Sequence, residues 1–348
     1  MKKDSQVIQL NSGREIVRYT LENNNQMQVE VLSLGATLTK VIVPDAKGKL
    51  ENVVLGWEDL NVYEKHPGCF GAIVGRVGGR IYKGKATIAG KTYQFPINAF
   101  ENTLHGGLQG FHTKDWEGEL LEDETGVSLK MSYLSIDGEE GFPGNLQVTV
   151  TYHLNDANEL TINYEATTDQ ETIVNLTNHA YFNLSGDAKR DILDEEVYID
   201  SDQLYEVDEE LIPTGKMLSL DDEPFFDFRK SKKIGQDIDK ENIYLKYGCG
   251  YDHVWKLNQG QNAINLYDSV SKRCMTVTTS EPSVVVYTMN HIKHSTVLSN
   301  GKQPAPRFGI CFETQKAAIG YNEVNRQAVT LKPDEIYKQQ TIFKFSIQ

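Results

Sequence analysis

The chain has 348 residues, 39% hydrophobic and 24% charged, a balance that fits a globular protein with a sizeable core. Its 35 basic and 49 acidic residues give a net charge of −14, which argues against nucleic acid or an anionic membrane as partner and suits solubility. The opening Met1-Lys-Lys-Asp-Ser-Gln has no apolar leader segment, no apolar run is long enough to span a bilayer, and Cys69, Cys249, Cys274 and Cys311 form no C-x-x-C pair. A cytoplasmic protein with no metal site and no disulfide framework is expected, so Asn175-Leu-Thr and Asn183-Leu-Ser are irrelevant as glycosylation acceptors.

Taken in chain order, the first strand signals are Val29-Glu-Val31 and Lys40-Val-Ile-Val43. Residues 60–65 read as a short helix. Val127, Leu129, Met131 and Tyr133 alternate with polar residues and predict a half-buried strand. Leu146, Val148, Val150, Tyr152 and Leu154 repeat the pattern, then Leu160, Ile162, Tyr164 and Ala166 after the turn Asn155-Asp-Ala-Asn158. That pair predicts a β-hairpin. Residues 231–239 are a second short helix, and Met275–Thr279, Val284–Tyr287 and Phe343-Lys-Phe345 are further strands. Glycine and Asn/Asp turns recur at short intervals, which suggests sheets packed on sheets. With no internal repeat, linker or composition break, one all-β sandwich spanning residues 1–348 is expected, and nothing supports a boundary near residue 190.

Two glycine-rich stretches fail as nucleotide loops. Gly79-Arg-Ile-Tyr-Lys-Gly-Lys-Ala86 has Ala where a phosphate loop needs Ser or Thr, and its context is strand-like. Leu104-His-Gly-Gly-Leu-Gln-Gly110 has no βαβ unit around it.

Four clusters carry chemistry. In Asn175-Leu-Thr-Asn-His-Ala-Tyr-Phe-Asn183, a strand places Asn175, Thr177, His179, Tyr181 and Asn183 on one polar face. Such a face either meets water or lines a sugar pocket, where amides, a hydroxyl and a group titrating near neutrality are useful. In Asn102-Thr-Leu-His105-Gly-Gly, a tight turn presents an imidazole over a cleft or leaves it idle on a loop. In Gly309-Ile-Cys-Phe-Glu313-Thr-Gln315, apolar neighbours partly bury a glutamate, which raises its pKa and suits a general base; the alternative is a solvent-facing strand end. Asp252, beside Tyr251, His253 and Trp255, is either a grip on sugar hydroxyls or a turn before a strand. Arg76 and Arg80 add hydroxyl donors or surface charge.

In this order, the segments Gly75–Ile81, Asn102–Gly107, Asp137–Asn145, Leu160–Asp169, Asn175–Asn183, Leu211–Gly215, Phe226–Arg229, Gly250–His253 and Phe312–Gln315 resemble the aldose 1-epimerase (galactose mutarotase) family almost end to end. The resemblance implies a β-supersandwich and cofactor-free interconversion of the α and β anomers of free aldohexoses. It implies Glu313 as the base at the C1 hydroxyl, His179 as the acid at the ring oxygen, and His105 as a hydrogen-bonding partner there. Gly79, Arg80, Asp252, Tyr181 and Asn178 would form the sugar-binding set. The chain departs from the family pattern in three places: Gly79 where many members have Asn, Val285 where many have Gln, and Lys316-Ala-Ala-Ile-Gly320 where Phe-Pro-Asp-x-x-Asn is usual. The acid and base are retained, so the departures touch sugar preference.

Alternatives on the same fold are a maltose-type disaccharide epimerase and a non-catalytic carbohydrate-binding protein, although binding alone needs no acid–base pair. A phosphorylated sugar would demand clustered basic residues, and a glycosidase would want two carboxylates. The expected partner is an aldohexose, with the chain a monomer or homodimer.

Overall fold

A computed structural model of the chain describes residues 1–258, 263–292 and 295–348. Three large antiparallel sheets dominate it. Nine strands run in the order Glu117–Glu122, Val127–Ser135, Leu146–Leu154, Glu159–Thr168, Tyr337–Ile347, Arg273–Thr279, Ile264–Tyr267, Glu196–Ile199 and Lys232–Lys233. This sheet takes strands from both sides of residue 190. Six strands form a second sheet: Tyr181–Phe182, Ile310–Gln315, Ser283–Tyr287, Asp252–Leu257, Ser201–Val207 and Pro213–Ser219. The third holds the first five strands of the chain, from Lys2–Gln9 to Leu50–Asn52.

The predicted hairpin forms, with Leu154 opposite Leu160. Asn155 closes its turn by accepting from the backbone N–H groups of Ala157 and Glu159. Asn158 adopts φ 57°, a left-handed conformation that asparagine tolerates. Leu146, Val148, Val150, Tyr152 and Leu154 are all fully buried. They share one core with Trp255, Val284, Val286 and Phe312 of the six-stranded sheet, so the two sheets pack face to face. Each such side chain contributes about 1.5–3 kcal/mol by leaving water.

Local structure departs from the sequence reading in several places. Residues 60–65 form a 3-10 turn, Leu60–Glu64, rather than an α-helix. Residues 231–239 hold no α-helix. Lys232–Lys233 joins the nine-stranded sheet, and the backbone N–H groups of Ile234 and Gly235 donate to Glu195 and Leu193. Ile234 and Ile238 mimic helical spacing, but these sheet-side partners take the hydrogen bonds a helix would need. The one α-helix among the described residues lies instead at Ile243–Gly248, started by Asn242, whose side chain accepts from Tyr244 and Leu245. Glu30, between Val29 and Val31, is buried and meets Lys40 Nζ at 3.1 Å.

Residues 175–183 are not one strand. Thr177–Asn178 pairs with Ile73–Val74, and Tyr181–Phe182 pairs with Ile310 and Cys311. Every residue from Asn175 to Asn183 is buried, so this stretch is not a face turned to bulk water.

Candidate active site

The site is built on one face of the six-stranded sheet. Side chains alternate along Ile310–Gln315, so Cys311, Glu313 and Gln315 share a face while Phe312 and Thr314 turn to the core. The strand is anchored from behind: Gln339 Nε2 donates to the Thr314 carbonyl at 2.8 Å, and the Thr314 and Thr341 hydroxyls meet at 2.6 Å. Across the sheet, Val285 lies beside Glu313 and Tyr287 beside Cys311, with Asp252 and Val254 one strand further on.

His179 is set opposite this face by its own backbone. Its N–H donates to Ala72, and its carbonyl accepts from Gly71. The ring places Nε2 3.5 Å from Glu313 Oε1 and Nδ1 3.4 Å from Cys311 Sγ. Both members of the Glu313–His179 pair are buried.

His105 completes the group, its ring 5.3 Å from that of His179 and perpendicular to it. The turn that presents it needs glycine at 106, where φ is 83° and a Cβ would fall 1.9 Å from the Gly75 carbonyl oxygen. The Gly79 N–H donates to His105 Nδ1 at 3.2 Å. An accepting Nδ1 leaves the proton of a neutral imidazole on Nε2, so His105 is a fixed hydrogen-bond donor. Burial holds it neutral, pushing its pKa well below the ordinary 6.5, with the neighbouring His179 adding to the effect.

Burial sets the other titrations as well. It pushes Glu313 up to about 8, reinforced by the Asp252 charge and opposed by Arg80. It pushes His179 down to about 4. Asp252 is raised by burial against the pull of Arg80, whose guanidinium lies 3.8 Å from its carboxylate.

These side chains line a cavity of about 420 Å³, a size suited to one small polar ring. Seven of the sequence-selected residues meet there: Gly79, Arg80, His105, His179, Tyr181, Asp252 and Glu313. Val285, marked as a departure, is also on its wall. Asn178 is not. Its amide donates to the Gly71 carbonyl and accepts from Ala180, so it braces the backbone that carries His179. Arg76 is likewise structural: it is buried and donates to Ser135, the Pro143 and Ile136 carbonyls and Thr172. Sequence reasoning passed over Cys69, His112, Tyr287, His291 and Gln315, which also line the cavity. Of these, Gln315 and Tyr287 were open to detection, because each lies two residues along a strand from a lining residue.

His105, His179 and Glu313 bring three ligand-type atoms within 4.8 Å of one another. A divalent metal needs a free lone pair from each imidazole. The Gly79 contact occupies that of His105 Nδ1 and leaves Nε2 protonated, so the trio fits a donor–acceptor constellation better than a metal cage.

Residues 17–344 match the aldose 1-epimerase family. Galactose mutarotase of Rattus norvegicus is 38% identical over 342 residues, covering 97% of each chain. Aldose 1-epimerase of Escherichia coli is 32% identical, covering 94% of each. The crystal structure of galactose 1-epimerase from Lactobacillus acidophilus superposes with a TM-score of 0.89 at 31% identity, covering 100% of this chain and 99% of that one. These relatives do not favour a maltose-type epimerase or a binding-only protein. The chain therefore belongs to the aldose 1-epimerase family and is an isomerase.

Proposed function

We propose that the cavity opens and recloses the ring of a free aldohexose, D-galactose or D-glucose, with Glu313 and His179 as the acid–base pair. The observation that carries this reading is their buried 3.5 Å contact. Anomer exchange must remove a proton from the C1 hydroxyl and deliver one to the ring oxygen. A pair that holds a single proton across neutral pH has one to give and one place to take.

In the reactive form, Glu313 is a carboxylate and His179 an imidazolium. The carboxylate takes the C1 hydroxyl proton. The freed electron pair forms the aldehyde C=O as the C1–O5 bond breaks, and His179 Nε2 gives its proton to O5. Opening thus converts two buried charges into a carboxylic acid and a neutral imidazole, the forms that burial favours. Rotation about C1–C2 and reclosure with reversed roles give the other anomer. His105 donates its Nε2–H at the ring oxygen or a neighbouring hydroxyl. Arg80, Asp252 and Tyr181 hold other hydroxyls of the sugar, with Gly79 leaving room beside Arg80. No cofactor or metal is needed, because a hemiacetal carries its own leaving group.

The working unit is residues 1–348 as a single domain, monomer or homodimer. No helix among the described residues is long and apolar enough to cross a membrane. Four free cysteines suit a reducing compartment such as the cytoplasm.

Polarimetry on fresh α-D-galactose and α-D-glucose tests the proposal. Wild type should reach equilibrium far faster than buffer, and Glu313→Gln and His179→Asn should each lose about 10²–10⁴-fold in rate. Wild-type rates equal to buffer would overturn the reaction; full activity in His179→Asn would overturn the assigned acid.

A further inference from the structure

Among the described residues, buried polar atoms without a partner gather at this cavity: Arg80 Nε, His112 Nδ1, Glu313 Oε2 and both amide atoms of Gln315. Gln315 stands out because its whole side-chain functional group is unsatisfied while the residue is fully buried. A buried amide with no hydrogen bond is costly, so such a group persists where a ligand supplies the partner. The chain also clears space for it. A Cβ at residue 78 would fall 2.3 Å from Gln315 Oε1, and one at residue 79 would fall 3.2 Å from Nε2; both positions are glycine.

We infer that the Gln315 amide binds the C2 hydroxyl of the sugar and makes that hydroxyl a specificity determinant. The inference rests on the acid–base roles proposed above. Cys311, Glu313 and Gln315 follow one another on the same strand face, about 7 Å apart. Cys311 touches the His179 ring, so the O5 side of the sugar lies toward Cys311. Glu313 holds the C1 hydroxyl. The ring atom on the other side of C1 from O5 is C2, and Gln315 lies beyond Glu313 in that direction. An amide offers a donor and an acceptor together, which matches a hydroxyl that does both.

The test compares wild type and Gln315→Met on D-galactose and 2-deoxy-D-galactose, by polarimetry and by calorimetric binding. Gln315→Met should raise KM and Kd for galactose about tenfold. The 2-deoxy sugar should bind wild type and variant equally. Because the variant removes an unsatisfied buried amide, its Tm should equal or exceed that of wild type. A lowered Tm with unchanged affinity would make Gln315 a packing residue and overturn the inference. An equal loss on both sugars would overturn the C2 assignment. Should Gln315→Met fail to fold, wild type alone decides: equal kcat/KM and Kd for the two sugars refutes the reading. Binding without mutarotation by wild type would sink the reaction proposed above, while the calorimetric comparison would still judge Gln315.

Discussion

Replacing Glu313 by Gln should stabilise the fold as it removes activity. Burial withholds ionisation of this carboxyl from its ordinary 4.5 up to about 8. A group whose pKa is raised on folding contributes most below its unfolded pKa, and that contribution is lost as pH rises through the folded one. At about 1.36 kcal/mol per unit, the isosteric neutral amide escapes a penalty of about 1 kcal/mol at pH 5, about 3 at pH 7 and about 5 above pH 9. With an unfolding entropy of about 2.1 cal/mol/K per residue, the gain at pH 7 is about 4 °C in Tm for a chain of 348 residues. The assay is thermal unfolding of wild type and Glu313→Gln at pH 5, 7 and 9. The gap between them should widen with pH. A gap that stays constant, or a variant less stable than wild type at pH 9, would refute a carboxyl held neutral by burial.

The pH profile of kcat/KM, read by polarimetry, should be bell-shaped, with limbs near 4 and 8: below the first the pair has no base, and above the second it has no proton to give. Arg76→Ala should cost about 3–5 kcal/mol in chemical denaturation, because buried carbonyls lose their donors, while KM of the folded fraction stays put. Asn178→Ala should lower Tm and reduce kcat more than it raises KM, since it loosens the backbone under His179 without touching the cavity.

Period-two patterning carried the central strands of the nine-stranded sheet, while Glu117–Glu122, Glu196–Ile199 and Ile264–Tyr267 escaped it. The central strands have one face in the core, and Leu146 to Leu154 record that in plain alternation. Glu313 was legible for the opposite reason, as an ionisable residue where its neighbours demanded burial. The reading of 175–183 as one strand failed because its asparagines donate to the distant backbone carbonyls of Lys316, Gly71 and Phe308, an arrangement that periodicity cannot distinguish from a wet face. Arg76 and Arg80 look alike in sequence, yet one is clamped by carbonyls far along the chain and the other faces Asp252. Strand alternation from Glu313 could have placed Gln315 on the cavity face, but its missing hydrogen-bond partners show only in three dimensions.

The strand that carries Glu313 has a core-facing side tied to Thr341 and Gln339, and this couples assembly of the reactive centre to strand registration. A slip of one residue would aim Thr314 at the sugar and drive Glu313 into the sandwich interior. Seating Phe312 and Thr314 in the interior thereby sets Glu313 on the cavity face. Recovery of anomer exchange after refolding should therefore track recovery of the buried tryptophan signal in time, and catalysis itself becomes a readout of strand alignment.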